Sequence, residues 1–131
     1  MKWQSILFVL GALSTSQVIA ANGDTINCDG NPDSQSVRID YLQDGIDYIN
    51  GLSGAPTAKA GKCNRVSCSY GAGIYVCSDD GEDHPLKSWK TVGSVTTYIM
   101  NRCQEADTAG VVRGRLHSPD GWGVLVQEAD C

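Results

Sequence analysis

Apolar residues recur along this chain with two different periods, and the switches between them mark out its elements. Across residues 34–52, Val37, Tyr41, Leu42, Ile46, Ile49 and Leu52 follow steps of three and four, the spacing that lines one face of a helix. Asp33 or Ser34 is placed to cap its start and Gly51 to stop it, while Gly45 inside it costs about 1 kcal/mol relative to alanine. Trp89, Val92, Val95, Ile99, Met100 and Cys103 trace a second stripe. Cys103 on that stripe predicts a covalent staple from the helix to a neighbour. Residues 25–28, 64–70, 72–79, 111–117 and 122–128 read instead as strands.

The turns between these elements have their own signals. Tyr70-Gly71-Ala72-Gly73 closes a hairpin between the second and third strands. With its turn centred on Gly71 and Ala72, Val66, Cys68, Tyr75 and Cys77 share one face and Ser67, Ser69, Ile74 and Val76 the other. Both faces then carry apolar residues, which predicts a central place for the hairpin in the sheet. Ser118-Pro119-Asp120-Gly121 has the proline, aspartate and glycine of a tight turn between the last two strands. Residues 54–62 read as a connector and the acidic run 79–85 as a loop before the second helix. The order β-α-β-β-α-β-β predicts an α+β domain, an antiparallel sheet of two split β-α-β units with both helices on one face.

The N-terminal pattern differs. Residues 1–20 carry Lys2 as their only charge, an apolar run over residues 6–13 and small or apolar Val18 and Ala20. This is the layout of a cleavable secretory signal, and the run is far shorter than the roughly 20 residues that span a bilayer. Residues 21–131 are then expected to form a single secreted, extracellular domain with no stable membrane insertion. All six cysteines, Cys28, Cys63, Cys68, Cys77, Cys103 and Cys131, follow the expected cleavage point. An even number in a short exported chain predicts a disulfide framework, though spacing does not choose among the possible pairings. No CxxC pair is present, and neither His84 nor His117 has ligand-like spacing to the thiols, so zinc is not expected. Loss of Lys2 takes the formal net charge from −5 to −6. Nucleic acid is therefore not the expected partner, since its binding needs a net basic face.

Candidate chemistry is sparse, and neither a catalytic set nor a cofactor motif is expected. Asp79, Asp80, Glu82 and Asp83 could hold calcium but lack the ligand spacing of an EF-hand loop, and a solvated loop is the simpler reading. Arg113, Arg115 and His117 alternate along one strand, as a ribonuclease acid and phosphate clamp would, with Glu128 of the next strand as the base. A solvent-facing strip accounts for the same pattern. Gly51-Leu52-Ser53-Gly54 has the look of a nucleophile elbow without its strand and helix, and reads as a helix-ending turn. Tyr70 at the hairpin tip and Trp122 between two glycines are the aromatics best placed to anchor a partner, because large rings bury much area for little entropy loss.

The run Ile26-Asn27-Cys28-Asp29-Gly30, then Arg65-Val66-Ser67-Cys68-Ser69-Tyr70-Gly71-Ala72-Gly73-Ile74-Tyr75-Val76-Cys77, then residues 92–103 and the ending from Gly114-Arg115-Leu116 to Cys131, resembles killer-toxin-like small secreted proteins of fungi. That family takes in a smut-fungus killer toxin and plant-pathogen effectors. The resemblance implies an α/β sandwich of this element order and a non-enzymatic role in virulence or in toxicity to competitors. Channel block in the smut toxin implies an exposed base near the first hairpin strand, where Lys62 and Arg65 are nearest here. This chain has fewer cysteines than that toxin and is acidic. The expectation is therefore a monomeric secreted effector that binds a host or competitor protein through Tyr70, Arg113, Arg115, His117 and Trp122. A killer-type toxin acting on a membrane channel and a small secreted ribonuclease are the alternatives.

Overall fold

Residues 23–29, 35–104 and 110–131 are described by the computed structural model. The expected signal segment 1–20 and the expected caps Asp33 and Ser34 lie outside the described residues. The main strands are β1 (Thr25–Asn27), β4 (Cys63–Ser69), β5 (Ala72–Ser78), β8 (Gly114–His117) and β9 (Trp122–Glu128), and the helices are α1 (Ile39–Asn50) and α2 (Trp89–Arg102). Four two-residue strands, β2 (Val37–Arg38), β3 (Thr57–Ala58), β6 (His84–Pro85) and β7 (Val111–Val112), close two small ladders, β2 with β7 and β3 with β6.

The five main strands form one antiparallel sheet in the order β1-β8-β9-β5-β4. The chain therefore builds a disulfide-stapled α+β fold. Around α2 the unit β5-α2-β8 is split by β9 alone, whereas β1-α1-β4 straddles the whole sheet, because its two strands are the outermost. Ile74, Val76, Val124, Val126, Leu116 and Ile26 of the sheet are buried together with Leu42, Ile46 and Ile49 of α1 and Val92, Ile99 and Met100 of α2. Thr96 is fully buried within α2, and its hydroxyl is satisfied by donating to the Val92 carbonyl at 2.8 Å. Gly45 has a packing reason. A Cβ there would stand 2.9 Å from Ser67 Oγ and 3.1 Å from Ile74 Cδ1, so the gap lets α1 lie close on the sheet.

Several details differ from the sequence reading, among them the expected strand 111–117, which breaks at Arg113 because Val111 and Val112 pair with Arg38 and Val37 outside the main sheet. Helix α1 starts at Ile39, because Val37 and Arg38 pair with Val112 and Val111 and the Ile39 N–H donates to the Gly110 carbonyl. The first hairpin turns on Tyr70 and Gly71, both at positive φ (48° and 89°), with Ser69 opposite Ala72. Ser67 and Ile74 do share a face, but a bulge between Arg65 and Ser67 packs Val66 against the helix-side core rather than leaving it beside Cys68. Finally, β5 is interior but β4 is an edge strand. The apolar residues of the outer face, Cys77 and Leu125, are buried without helices over them. Their register neighbours are Cys63, Tyr75 and Arg115.

The cysteines pair Cys28–Cys103, Cys63–Cys77 and Cys68–Cys131. The first joins the end of β1 to the C-cap of α2, as expected of a cysteine on that stripe. The second crosses the first hairpin between directly opposed residues. The third ties the chain after β9 to β4, where the Ala129 N–H donates to the Gly71 carbonyl and Arg65 Nη1 to the Asp130 carbonyl at 2.7 Å. Chain-entropy arguments assign about 4 kcal/mol to each of the two long closures and about 3 kcal/mol to the hairpin closure. The double variant Cys28→Ala/Cys103→Ala is expected to lose about 1 kcal/mol more stability than Cys63→Ala/Cys77→Ala, read by urea denaturation of the two proteins side by side.

Candidate functional site

The five side chains marked out in the sequence are spread over the molecule. Tyr70 stands at the β4–β5 turn, whereas Trp122 lies opposite Ser78 at the far end of β5, about 20 Å away along the strand. Trp122 is half-buried against the core and lines a cleft at that end. Arg113 occupies the break between β7 and β8 and lines a small cleft with Cys28, Asp29, Arg102 and Cys103. Arg115 and His117 alone are brought together, on the outer face of β8.

What joins them is Asp79. Arg115 Nη2 donates to Asp79 Oδ1 at 2.7 Å, and His117 Nδ1 lies 2.8 Å from Asp79 Oδ2. The next residue, Asp80, holds the other histidine of the chain, with His84 Nε2 2.8 Å from Oδ1. Two consecutive carboxylates at the end of β5 thus hold both histidines. Gly121 leaves room for this arrangement, since a Cβ there would lie 2.5 Å from Asp80 Oδ2 and 2.8 Å from His84 Nε2. The acidic run is the exposed loop the sequence suggests, and it is anchored at several points. The Ser78 hydroxyl donates to the Glu82 carbonyl, the Glu82 N–H donates to Asp80, and Asp83 accepts from the Ala60 N–H. His84 and Pro85 form β6 within it. Among the described residues no three His, Cys, Asp or Glu side chains gather as a metal ion would require.

Chemically, a neutral His117 that donates Nδ1–H to Asp79 keeps its acceptor lone pair on Nε2. Glu128, the base a ribonuclease would need, pairs with Ala72, whereas His117 pairs with Gly123. The two are about 17 Å apart along β9. The structure does not bring that pair together. Asp79 follows β5 directly, but its meeting with His117 becomes visible only once β9 is known to lie between β5 and β8.

Among the described residues Tyr70 is the most exposed large apolar side chain, at 79% of its full accessible area. Its ring packs on Tyr41 of α1, with centroids 4.9 Å apart, and the Arg38 guanidinium lies 4.8 Å from the centre of the Tyr41 ring. Arg38 in turn makes a two-point contact with Asp40, at 3.0 and 2.6 Å. A row Asp40–Arg38–Tyr41–Tyr70 therefore crosses from the helix start to the hairpin tip. Sequence reasoning found Tyr70 but not Arg38 or Tyr41, because the stack depends on how α1 lies across β4. No protein-family model, curated protein or solved structure matches the chain.

The hydrogen bond from His84, followed by the Glu82 N–H, holds the Asp80 carboxyl below its ordinary range, and the Arg38 hydrogen bond does the same for Asp40. A carboxyl depressed in the folded state contributes stability that is complete above its unfolded pKa and is lost as pH falls through the folded value. An acid limb in stability is therefore expected below about pH 4. Asp80→Asn should make that limb shallower in urea midpoints measured from pH 6 to pH 2, and an unchanged limb would remove Asp80 from this account.

Proposed function

We propose that this chain is a secreted effector, a non-enzymatic virulence factor of killer-toxin-like character that binds a host or competitor protein through the Tyr70 tip. Three disulfides in so small a domain are consistent with an extracellular protein, and among the described residues no helix is long and apolar enough to cross a membrane. Release from the cell after cleavage of residues 1–20 belongs to this reading.

The observation that carries it is the conformation of Tyr70. A two-residue hairpin turn with both residues at positive φ favours Asn-Gly, and a bulky residue there is disfavoured by roughly 1–2 kcal/mol. The turn itself thus gives no reason for a tyrosine at this position, and the contact with Tyr41 leaves most of the side chain exposed. The Tyr41 stack holds the ring at the tip, and the neighbouring Gly71 N–H donates to Cys131 Sγ at 3.1 Å. A rigid, amphipathic ring of this kind contributes strongly to protein interfaces when a partner covers it.

Tyr70→Asn separates binding from folding. Relief of the turn offsets loss of the ring contact, so stability should stay within about 1 kcal/mol of the parent. Binding to a partner captured from host extract should weaken about 30-fold, the size of a single interface hot spot. Retained affinity in a folded Tyr70→Asn protein would exclude the tip as the contact. Growth inhibition of other fungi by the oxidised protein would favour a channel-directed toxin, and RNA cleavage abolished by His117→Ala would favour a ribonuclease.

A further inference from the structure

At the end of the sheet remote from Tyr70, a cleft of about 620 Å³ opens between the residue before β1, the β8–β9 turn, the start of β9 and the chain from β6 to the first turn of α2. Its size falls within the range of small-ligand sites. Its apolar lining comes from Leu86, which is buried, Trp122, which is half-buried against the core, and the prolines Pro85 and Pro119. Its polar lining is uneven. Asp24 and Asp120 face the cleft, and among the described residues neither makes an ion pair. His84 also lines it, but its Nε2 is held by Asp80, and Lys87 is exposed.

The Asp24 carboxyl is held above its ordinary range, first by burial and then by the charge of Asp120. Asp24 is partly buried and Asp120 exposed, so folding brings two like charges together at a cost that solvent around Asp120 reduces. A cation delivered between them would relieve that cost, and an aliphatic stem attached to it would cover Leu86 and Trp122. The indole adds a cation–π attraction for the same kind of head group.

We propose that this cleft is a binding site for an alkylammonium or guanidinium group, with its head between Asp24 and Asp120 and its stem along Leu86 and Trp122. The group belongs either to a free amine or to a lysine or arginine side chain of a partner. The site is separate from the Tyr70 tip, and its failure would leave the Tyr70 reading standing.

The test is an NMR titration of the oxidised protein with 1,4-diaminobutane and agmatine, using n-butanol as the uncharged probe and the blocked amides acetyl-Lys-NH2 and acetyl-Arg-NH2 as side-chain probes. The expected result is saturable binding of the cations, with shifts confined to Asp24, Asp120, the Trp122 indole and their neighbours. Asp24→Asn and Asp120→Asn should each weaken binding at least tenfold. Removing one of two repelling charges should also raise the urea midpoint at neutral pH, which shows that the variants remain folded. Affinity should rise with pH as Asp24 gives up its proton, against a background set by Asp80, Asp120, His84 and Lys87. Tighter binding of the blocked amides than of the diamine would assign the group to a partner side chain, and the reverse to a free amine. Equal binding of n-butanol, shifts away from the cleft, or undiminished affinity in Asp24→Asn would overturn the proposal.

Discussion

The placement of β9 between β5 and β8 is the constraint on which most of the molecule depends. It sets Val124 beside both Val76 and Leu116, and so completes the apolar layer beneath the helices. It carries the chain end back across the hairpin, where Cys131 reaches Cys68. At its other end it brings Gly121 to Asp79, whose N–H donates to the Gly121 carbonyl at 2.7 Å. The same placement gathers Asp79 with Arg115 and His117, and forms the cleft beside Trp122. A shift of one residue would turn the buried valines outward, which the core opposes strongly.

The disulfides act around this arrangement rather than within it. One closes each long excursion of the chain, from β1 to the end of α2 and from β4 to the last residue, and the third crosses the hairpin. A domain of this size buries a modest core, and such bridges compensate by restricting the unfolded chain. The result is a frame whose two ends differ in character: an aromatic row at Tyr70 backed by the Arg38–Asp40 ion pair, and a cleft that carries Asp24 and Asp120. Tyr41, Leu86 and Trp122 tie both ends to the core, whereas Tyr70, Asp24 and Asp120 are not part of it, which is the reason to look for function there.

Local pattern was enough for α2, because Val92, Ile99 and Met100 keep helical spacing and all face the core. It misplaced the start of α1 because Val37 and Arg38 answer to Val111 and Val112, more than seventy residues away, and no local signal reports that pairing. The hairpin turn shifted by one residue for a different reason, since Tyr70 occupies a conformation that tyrosine seldom adopts. Strand alternation assigned Ser67, Ile74 and Tyr75 to their faces and failed at Val66, where a bulge interrupts it. Of the candidate surface, Tyr70 was legible as an aromatic at a turn. The Asp79 partnership of Arg115 and His117 was not, because it depends on strand order, which hydrophobic periodicity does not encode.

Interstrand backbone NOEs from β9 test the central arrangement most directly. The account predicts contacts from Val124 to Val76 on one side and to Leu116 on the other, with Trp122 opposite Ser78 and Gly123 opposite both Cys77 and His117. Contacts displaced by a residue, or present on one side of β9 alone, would contradict it.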